Sequence, residues 1–267
     1  MPLTRFVKSP EEAVRYQQAF TAPAFLSMRT LAMNFETDPA IIAELLPHPL
    51  LPATDPRILV SVFDVGESNC VGPFKGASVA IACTFNGEDG FYGLTMPMST
   101  DASVIFGREL YAEPKKLADI AFDAAAGHIH GTVTRHGVTY IDLRGTFEDE
   151  PVDVGREAVS NHYYFKYLPA ADGHGLAFDP QLVCVTHRGV TRRYAPGTGT
   201  ITFRESRHDP VIDLPVLSVG GATYTEGETR TSARVVATVP AATFLPYAFA
   251  QMDDLTAWSA NRSDSSL

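Results

Sequence analysis

The sequence predicts an α+β fold, mainly antiparallel β-structure with a few short helices, and three observations carry that prediction. Between Arg57 and Met96 the chain reads as successive strands, Ile58 to Val65, Ala77 to Phe85 and Phe91 to Met96, parted by polar or Gly-rich turns such as Asn86-Gly87-Glu88-Asp89-Gly90. Such short turns make a meander, because parallel neighbours would need long crossovers. β character then returns through most of the second half, whereas the helical patterns are few and short.

Taken in order, Ser9 to Phe20 is a short surface helix, with Pro10 at its start and Glu11 and Glu12 in the first turn, where they favour the helix dipole. Phe25 to Phe35 alternates as a half-buried strand with Phe25, Leu31, Met33 and Phe35 on one face, shared with Ser27 and the misfit Arg29. Asp38-Pro39 opens a second helix that Pro47 closes. After the meander, Ser99-Thr100-Asp101 caps a helix over Asp101 to Tyr111, and Pro114 sends the chain onward extended. Strands follow at Leu117 to Phe122, His128 to Thr134, Val138 to Phe147, Leu182 to Tyr194 and Gly199 to Glu205, with a hairpin expected at Gly189. Pro240 to Met252 is apolar but holds Pro246, so a short or kinked helix is expected there, followed by a polar frayed tail from Ala260. No repeat, low-complexity tract or linker divides the chain, and a single domain over residues 1–267 is expected.

Composition narrows the function. With 31 acidic against 21 basic side chains, the formal charge of −10 argues against a nucleic-acid or anionic-membrane binder, which would need a basic face. No apolar run approaches the ~20 residues of a bilayer span, and the first 20 residues lack the apolar stretch of a signal peptide. Cys70, Cys83 and Cys184 are odd in number and form no CxxC pair, which argues against a disulfide framework or zinc knuckle and fits a reducing cytoplasm.

Walker A, GxGxxG, GxSxG and HExxH motifs are all absent. His128 and His130 share a strand face, but without a third ligand at metal spacing the pair reads as a solvated face. Arg188, Arg192 and Arg193 cluster near the expected hairpin and read as ion-pair partners for some of the many acids. The informative segment is Gly107-Arg108-Glu109-Leu110-Tyr111-Ala112-Glu113-Pro114-Lys115-Lys116-Leu117-Ala118. A lysine pair is ordinarily a wet surface. Here the only other lysines are Lys8, Lys75 and Lys166, and the pair stands between an apolar meander and an apolar strand, just after a proline.

This segment resembles the acetoacetate decarboxylase superfamily, in which a Gly-Arg-Glu motif leads through an aromatic residue and a proline into Lys-Lys. Weaker likeness covers Leu45-Leu46-Pro47, the strand bearing Arg29 and the meander. The resemblance implies a fold of curved or barrel-like antiparallel sheets with peripheral helices, a homo-oligomer, and no cofactor or metal. It assigns Lys115 as the imine-forming lysine, Lys116 as its cationic neighbour and Arg29 as a carboxylate-binding arginine, with Arg108 and Glu109 of the motif also at the substrate site.

Only a neutral amine attacks a carbonyl, and a free lysine is neutral in about one molecule in 2,500 at pH 7. Making the amine available near neutrality costs roughly 4 to 5 kcal/mol of differential destabilisation of the ammonium. Burial and a neighbouring cation both supply it. Extended residues 115 and 116 send their side chains to opposite faces, so burial should dominate.

Two departures from the family pattern bear on the reaction. Gly76 stands where the resemblance implies a glutamate that positions the reacting carboxylate, and Glu113 replaces an aromatic residue before the proline. A carboxylate facing the pocket would hold Lys115 protonated, so Glu113 is expected to turn away or to act as an acid/base. Tyr111 and Tyr247 are candidate proton-moving groups. The departures point first to aldol condensation and dehydration of a pyruvate-like oxo acid with an aldehyde co-substrate. Decarboxylation of acetoacetate or a related 3-oxo acid is the alternative, and a non-catalytic oxo-acid binder the third reading.

Overall fold

A computed structural model describes residues 4–256 of the chain. In order, its elements are α1 (Pro10–Thr21), β1 (Ala24–Glu36), α2 (Pro39–Leu45), β2 (Leu51–Pro52), β3 (Ile58–Ser68), β4 (Phe74–Phe85), β5 (Glu88–Met98), α3 (Asp101–Tyr111), β6 (Lys115–Leu117), β7 (Asp119–Ala125), β8 (His128–Arg135), β9 (Val138–Thr146), β10 (Val152–Lys166), β11 (Gln181–Phe203), β12 (Ser218–Thr238) and α4 (Ala241–Ala250). The expected α+β class holds: strands dominate and the four helices are short.

Local chemistry sets the helix ends. Ser9 and Glu12 form a reciprocal capping box on α1, which buries none of its residues, and the Asp38 carboxylate accepts from the Ala40 amide to start α2. The Thr100 hydroxyl accepts from the Ser103 amide at the start of α3. Pro246 lies inside the ten-residue α4. The expected tail from Ala260 lies outside the described residues.

Seven strands close into a ring in the order β10-β5-β4-β3-β1-β12-β11, with β11 returning to β10. Most contacts are antiparallel, but β10 meets β5 in parallel at His162–Phe91 and Tyr163–Tyr92, so the sheet is mixed. The far end of β11 leaves the ring to pair with β9, which continues to β8 and β7. A main core, with Leu31, Met33, Val62, Ile141 and Leu143 among its buried members, fills the space between this extension and the ring. A second, smaller cluster, including Phe63, Val65, Phe74, Met96 and Met98, lies apart from it.

Three sequence expectations need correction. No hairpin forms at Gly189: β11 is continuous, and Gly189 sits opposite both Ala158 and Thr229 in mid-strand. That glycine marks close strand approach, since a Cβ there would stand 3.2 Å from the Glu228 carbonyl oxygen. β10 and β12 were not anticipated as strands. The first half of β10 is exposed throughout, and β12 mixes Gly220, Gly221 and Gly227 with threonine and charged residues, so neither shows apolar alternation. Third, β1 does not keep one face. Ser27 has φ 50° and the register against β12 slips between Phe25 and Met28. This bulge puts Phe25 on the ring's interior with Met28 and Thr30, while Arg29 stays on the other side with Leu31 and Met33 as the alternation implies.

Candidate active site

The ring encloses a cavity of about 300 Å³ to which β1, β3, β4, β5, β10, β11 and β12 all contribute side chains. Lys115 enters it from β6, which lies parallel to the end of β5 with Lys115 beside Met96. Its side chain is 7% exposed, and Nζ lies 2.7 Å from Oε2 of Glu113, itself 6% exposed. Glu113 therefore does not turn away, and of its two expected placements only the one facing Lys115 survives.

The turn after α3 explains why. The Ala112 amide donates to Arg108 and the Glu113 amide to Gly107, with Ala112 in the left-handed region at φ 60°. This closing motif folds Glu113 back over the helix. Gly107 makes room for it: a Cβ there would stand 2.5 Å from Lys115 Nζ and 2.6 Å from Lys115 Cδ, and closer still to Glu113 Oε2. Arg108 holds β6 from the helix side by donating to the Lys115 carbonyl oxygen at 3.1 Å. It supports the strand and does not line the cavity.

Lys116 leaves on the opposite face, as extended backbone requires. Its ammonium donates to the carbonyl oxygens of His208 and Met252 and pairs with Asp209 and Asp253, each at 3.2 Å. Arg135 binds the same two carboxylates. Opposite charges thus surround Lys116, leaving little repulsion to project onto Lys115. Lys116→Ala is expected to keep the concentration of oxo acid that half-saturates borohydride trapping within about threefold of wild type, while breaking a buried pair at a cost of about 3 kcal/mol in urea unfolding. A large loss of trapping with unchanged stability would reverse that assignment.

The other anticipated residues divide between the site and elsewhere. Arg29 is absent from the cavity lining; it pairs with Asp64, stands 5.5 Å over the Phe122 ring and is 44% exposed. It keeps the face of β1 that it shares with Leu31 and Met33, and that face points away from the cavity. Gly76 is absent from the lining and lies behind it, where the Phe63 ring and Met98 sulfur occupy the space that a side chain would take. Tyr111 is buried beside the site with its hydroxyl 3.2 Å from Thr231, outside the lining. Glu109 is exposed and only its carbonyl is engaged, by Lys166. Tyr247, on α4, donates to the Glu44 carbonyl far from Lys115 in the fold and takes no part in the cavity. Of the nine anticipated residues, Lys115 and Glu113 are the two that meet inside it.

Several lining groups had no sequence signal. His162 and His187 approach with ring centroids 4.5 Å apart, and Tyr164 reaches the Met96 sulfur at 3.4 Å. Burial, helped by mutual repulsion for His162 and by the Lys115 charge for His187, brings their pKa values down to about 3 and about 4, so both are neutral near pH 7. Burial also pushes the Tyr164 phenol well above its ordinary value. These residues come from β10 and β11, and only the ring's closure brings them to Lys115. Gly107, by contrast, was visible as the first residue of the quoted motif.

Elsewhere two of the three clustered arginines pair with acids as expected, Arg192 with Glu228 at 2.8 Å and Arg193 with Glu226 at 3.3 Å, while Arg188 donates to the Ser232 hydroxyl at 3.2 Å. His130 bonds Asp142 at 2.9 Å, and the exposed His128 lies 3.5 Å from Thr146. The three cysteines are unbridged, and no helix among the described residues is long and apolar enough to cross a membrane.

Comparison with known proteins agrees with this arrangement. The family model for acetoacetate decarboxylase matches residues 7–239. The acetoacetate decarboxylase of Burkholderia multivorans is 26% identical over 216 residues, covering 76% of this chain and 86% of its own. Two solved structures share the fold at 17% identity. Acetoacetate decarboxylase from Legionella pneumophila superposes with a TM-score of 0.73 over 81% of this chain and 87% of that one. The enduracididine biosynthesis enzyme MppR, complexed with the condensation product of pyruvate and imidazole 4-carboxaldehyde, superposes with a TM-score of 0.66 over 80% and 88%. A family match spanning most of the sequence means that this chain belongs to the acetoacetate decarboxylase family.

Proposed function

We propose that Lys115 forms an imine with the ketone of a 3-oxo acid and that the chain releases its carboxylate as CO₂. The observation that carries this reading is the buried Lys115–Glu113 pair inside the cavity. Glu113 accepts the ammonium proton; the freed Nζ adds to the ketone carbon, and the resulting carbinolamine loses water with that proton returned to the departing hydroxyl. The carbon–carbon bond to the carboxylate then breaks. Its electron pair flows into the protonated imine, giving an enamine and CO₂. Protonation at carbon followed by addition of water releases the shortened ketone and restores the lysine.

Decarboxylation is favoured over aldol chemistry by what surrounds the substrate's carboxylate. Among the described residues, Lys115 is the single lysine or arginine lining the cavity. A carboxylate held there, close to Glu113 and without a cationic partner, is destabilised relative to neutral CO₂, which favours the transition state over the bound acid. An aldol route keeps its carboxylate throughout and gains nothing from this. Glu113 also supplies the acid that Gly76 lacks, reaching the lysine from its own turn. The aldol reading keeps one support: Glu113 is placed to remove a proton beside an imine, and MppR binds a pyruvate condensation product.

The test is borohydride reduction with acetoacetate or pyruvate, mapping of the adduct by mass spectrometry, and measurement of CO₂ release. An adduct on Lys115 with CO₂ from acetoacetate is expected. An adduct with pyruvate plus enone absorbance on adding an aldehyde would establish the aldol reading instead, and an adduct with no product would leave a binder.

A further inference from the structure

Resting on the imine reading of Lys115, we propose that the substrate is a 3-oxo acid whose ketone carries an apolar substituent of several carbons, larger than the methyl group of acetoacetate, lying against a wall of phenylalanine and methionine side chains. The cavity, at about 300 Å³, reaches the size of sites that hold drug-sized ligands and exceeds what a four-carbon acid occupies. Its phenylalanines gather on one side, and Met96 and Met98 of β5 continue the apolar surface toward Lys115. Phe25 and Met28 come from β1, Phe63 and Val65 from β3, and Phe74 from β4. Phe74 meets Phe25 and Phe63 edge to face, with centroids 6.0 and 6.3 Å apart.

In the ring, β1 and β12 stand opposite β5, beside which Lys115 enters. An imine on Lys115 is therefore bordered by Met96 and Met98 on its own side, and Phe25 and Met28 of β1 face it across the ring. The wall belongs to the smaller hydrophobic cluster, and Phe25 and Met28 are only half-buried, so part of its apolar surface is turned to the cavity and left for a ligand to cover. Gly76 permits this: lacking a side chain, it lets the Phe63 ring and Met98 sulfur fill that part of the wall. The distal rim is of different character, with Thr191, Thr225 and Thr229 beside paired glutamates, which keeps the apolar group on the β1–β3–β4–β5 part of the wall.

Each methylene moved from water onto such a wall strengthens binding by about fourfold when fully buried. The kcat/KM for CO₂ release from 3-oxooctanoate is thus expected to exceed that for acetoacetate by at least tenfold, with a parallel gain in borohydride trapping. Phe25→Ala is expected to cut that preference at least threefold. Calorimetric binding of octanoate against butyrate, neither of which forms an imine, separates the two claims. If no oxo acid labels Lys115 yet octanoate binds at least tenfold tighter than butyrate and Phe25→Ala reduces the difference, the imine reading falls and the apolar substrate class stands. If acetoacetate is trapped and turned over as well as 3-oxooctanoate, or the two fatty acids bind alike, the proposal is overturned.

Discussion

Lys115→Met is expected to abolish the borohydride-trappable adduct and to lower CO₂ release by at least about 10⁴-fold, since the nucleophile and the electron sink are the same atom. Methionine keeps most of the buried volume but leaves Glu113, 6% exposed, as a carboxylate without its partner. Stability should fall by about 3–5 kcal/mol. The double variant Lys115→Met/Glu113→Gln removes the stranded charge, so it should regain most of that stability while remaining inactive. Urea unfolding and CO₂ release measured on the same preparations would separate the two effects. Turnover in either variant near wild-type rates would sink the imine mechanism.

Gly107→Ala tests the same site without touching a reacting group. In an α-helix alanine is ordinarily better than glycine by about 1 kcal/mol. Here the added methyl would stand 2.5 Å from Lys115 Nζ, on top of the ion pair. The colliding atoms are the ends of two flexible side chains, which yield more readily than backbone. The protein is therefore expected to fold with a melting temperature close to wild type while Lys115 and Glu113 are pushed out of register. A displacement near 1 Å at a reacting centre costs about 10²-fold, and a loss of that size in kcat/KM with unchanged circular dichroism is expected. Intact trapping in this variant would show that the position of the pair does not matter.

What could be read in advance follows from how far each feature's cause lies along the chain. The bounds of α3, the extended exit at Pro114 and the divergence of Lys115 from Lys116 are fixed by neighbours in sequence, and the structure matches them. Glu113 was legible as a carboxylate but its direction was not, because it depends on Ala112 adopting a left-handed conformation that glycine would have signalled and alanine does not. Arg29 keeps the face of Leu31 and Met33 that the alternation of β1 gives it, but the bulge at Ser27 moves Phe25 to the opposite, cavity face. That bulge is a property of pairing with β12, almost two hundred residues onward. His162 and Tyr164 lie on β10, which shows no apolar alternation, and His187 lies on a strand that was expected, yet nothing local in either segment shows that the two close a ring around Lys115.

The pairing of β1 with β12 also orders events during synthesis. The meander β1-β3-β4-β5 and the segment bearing Lys115 emerge from the ribosome well before residues 218–238, and until that last staff of the barrel slots in beside β1, the future reaction chamber is a trough open to water. On the proposed mechanism, Lys115 gains its enclosed site only once this final strand has docked.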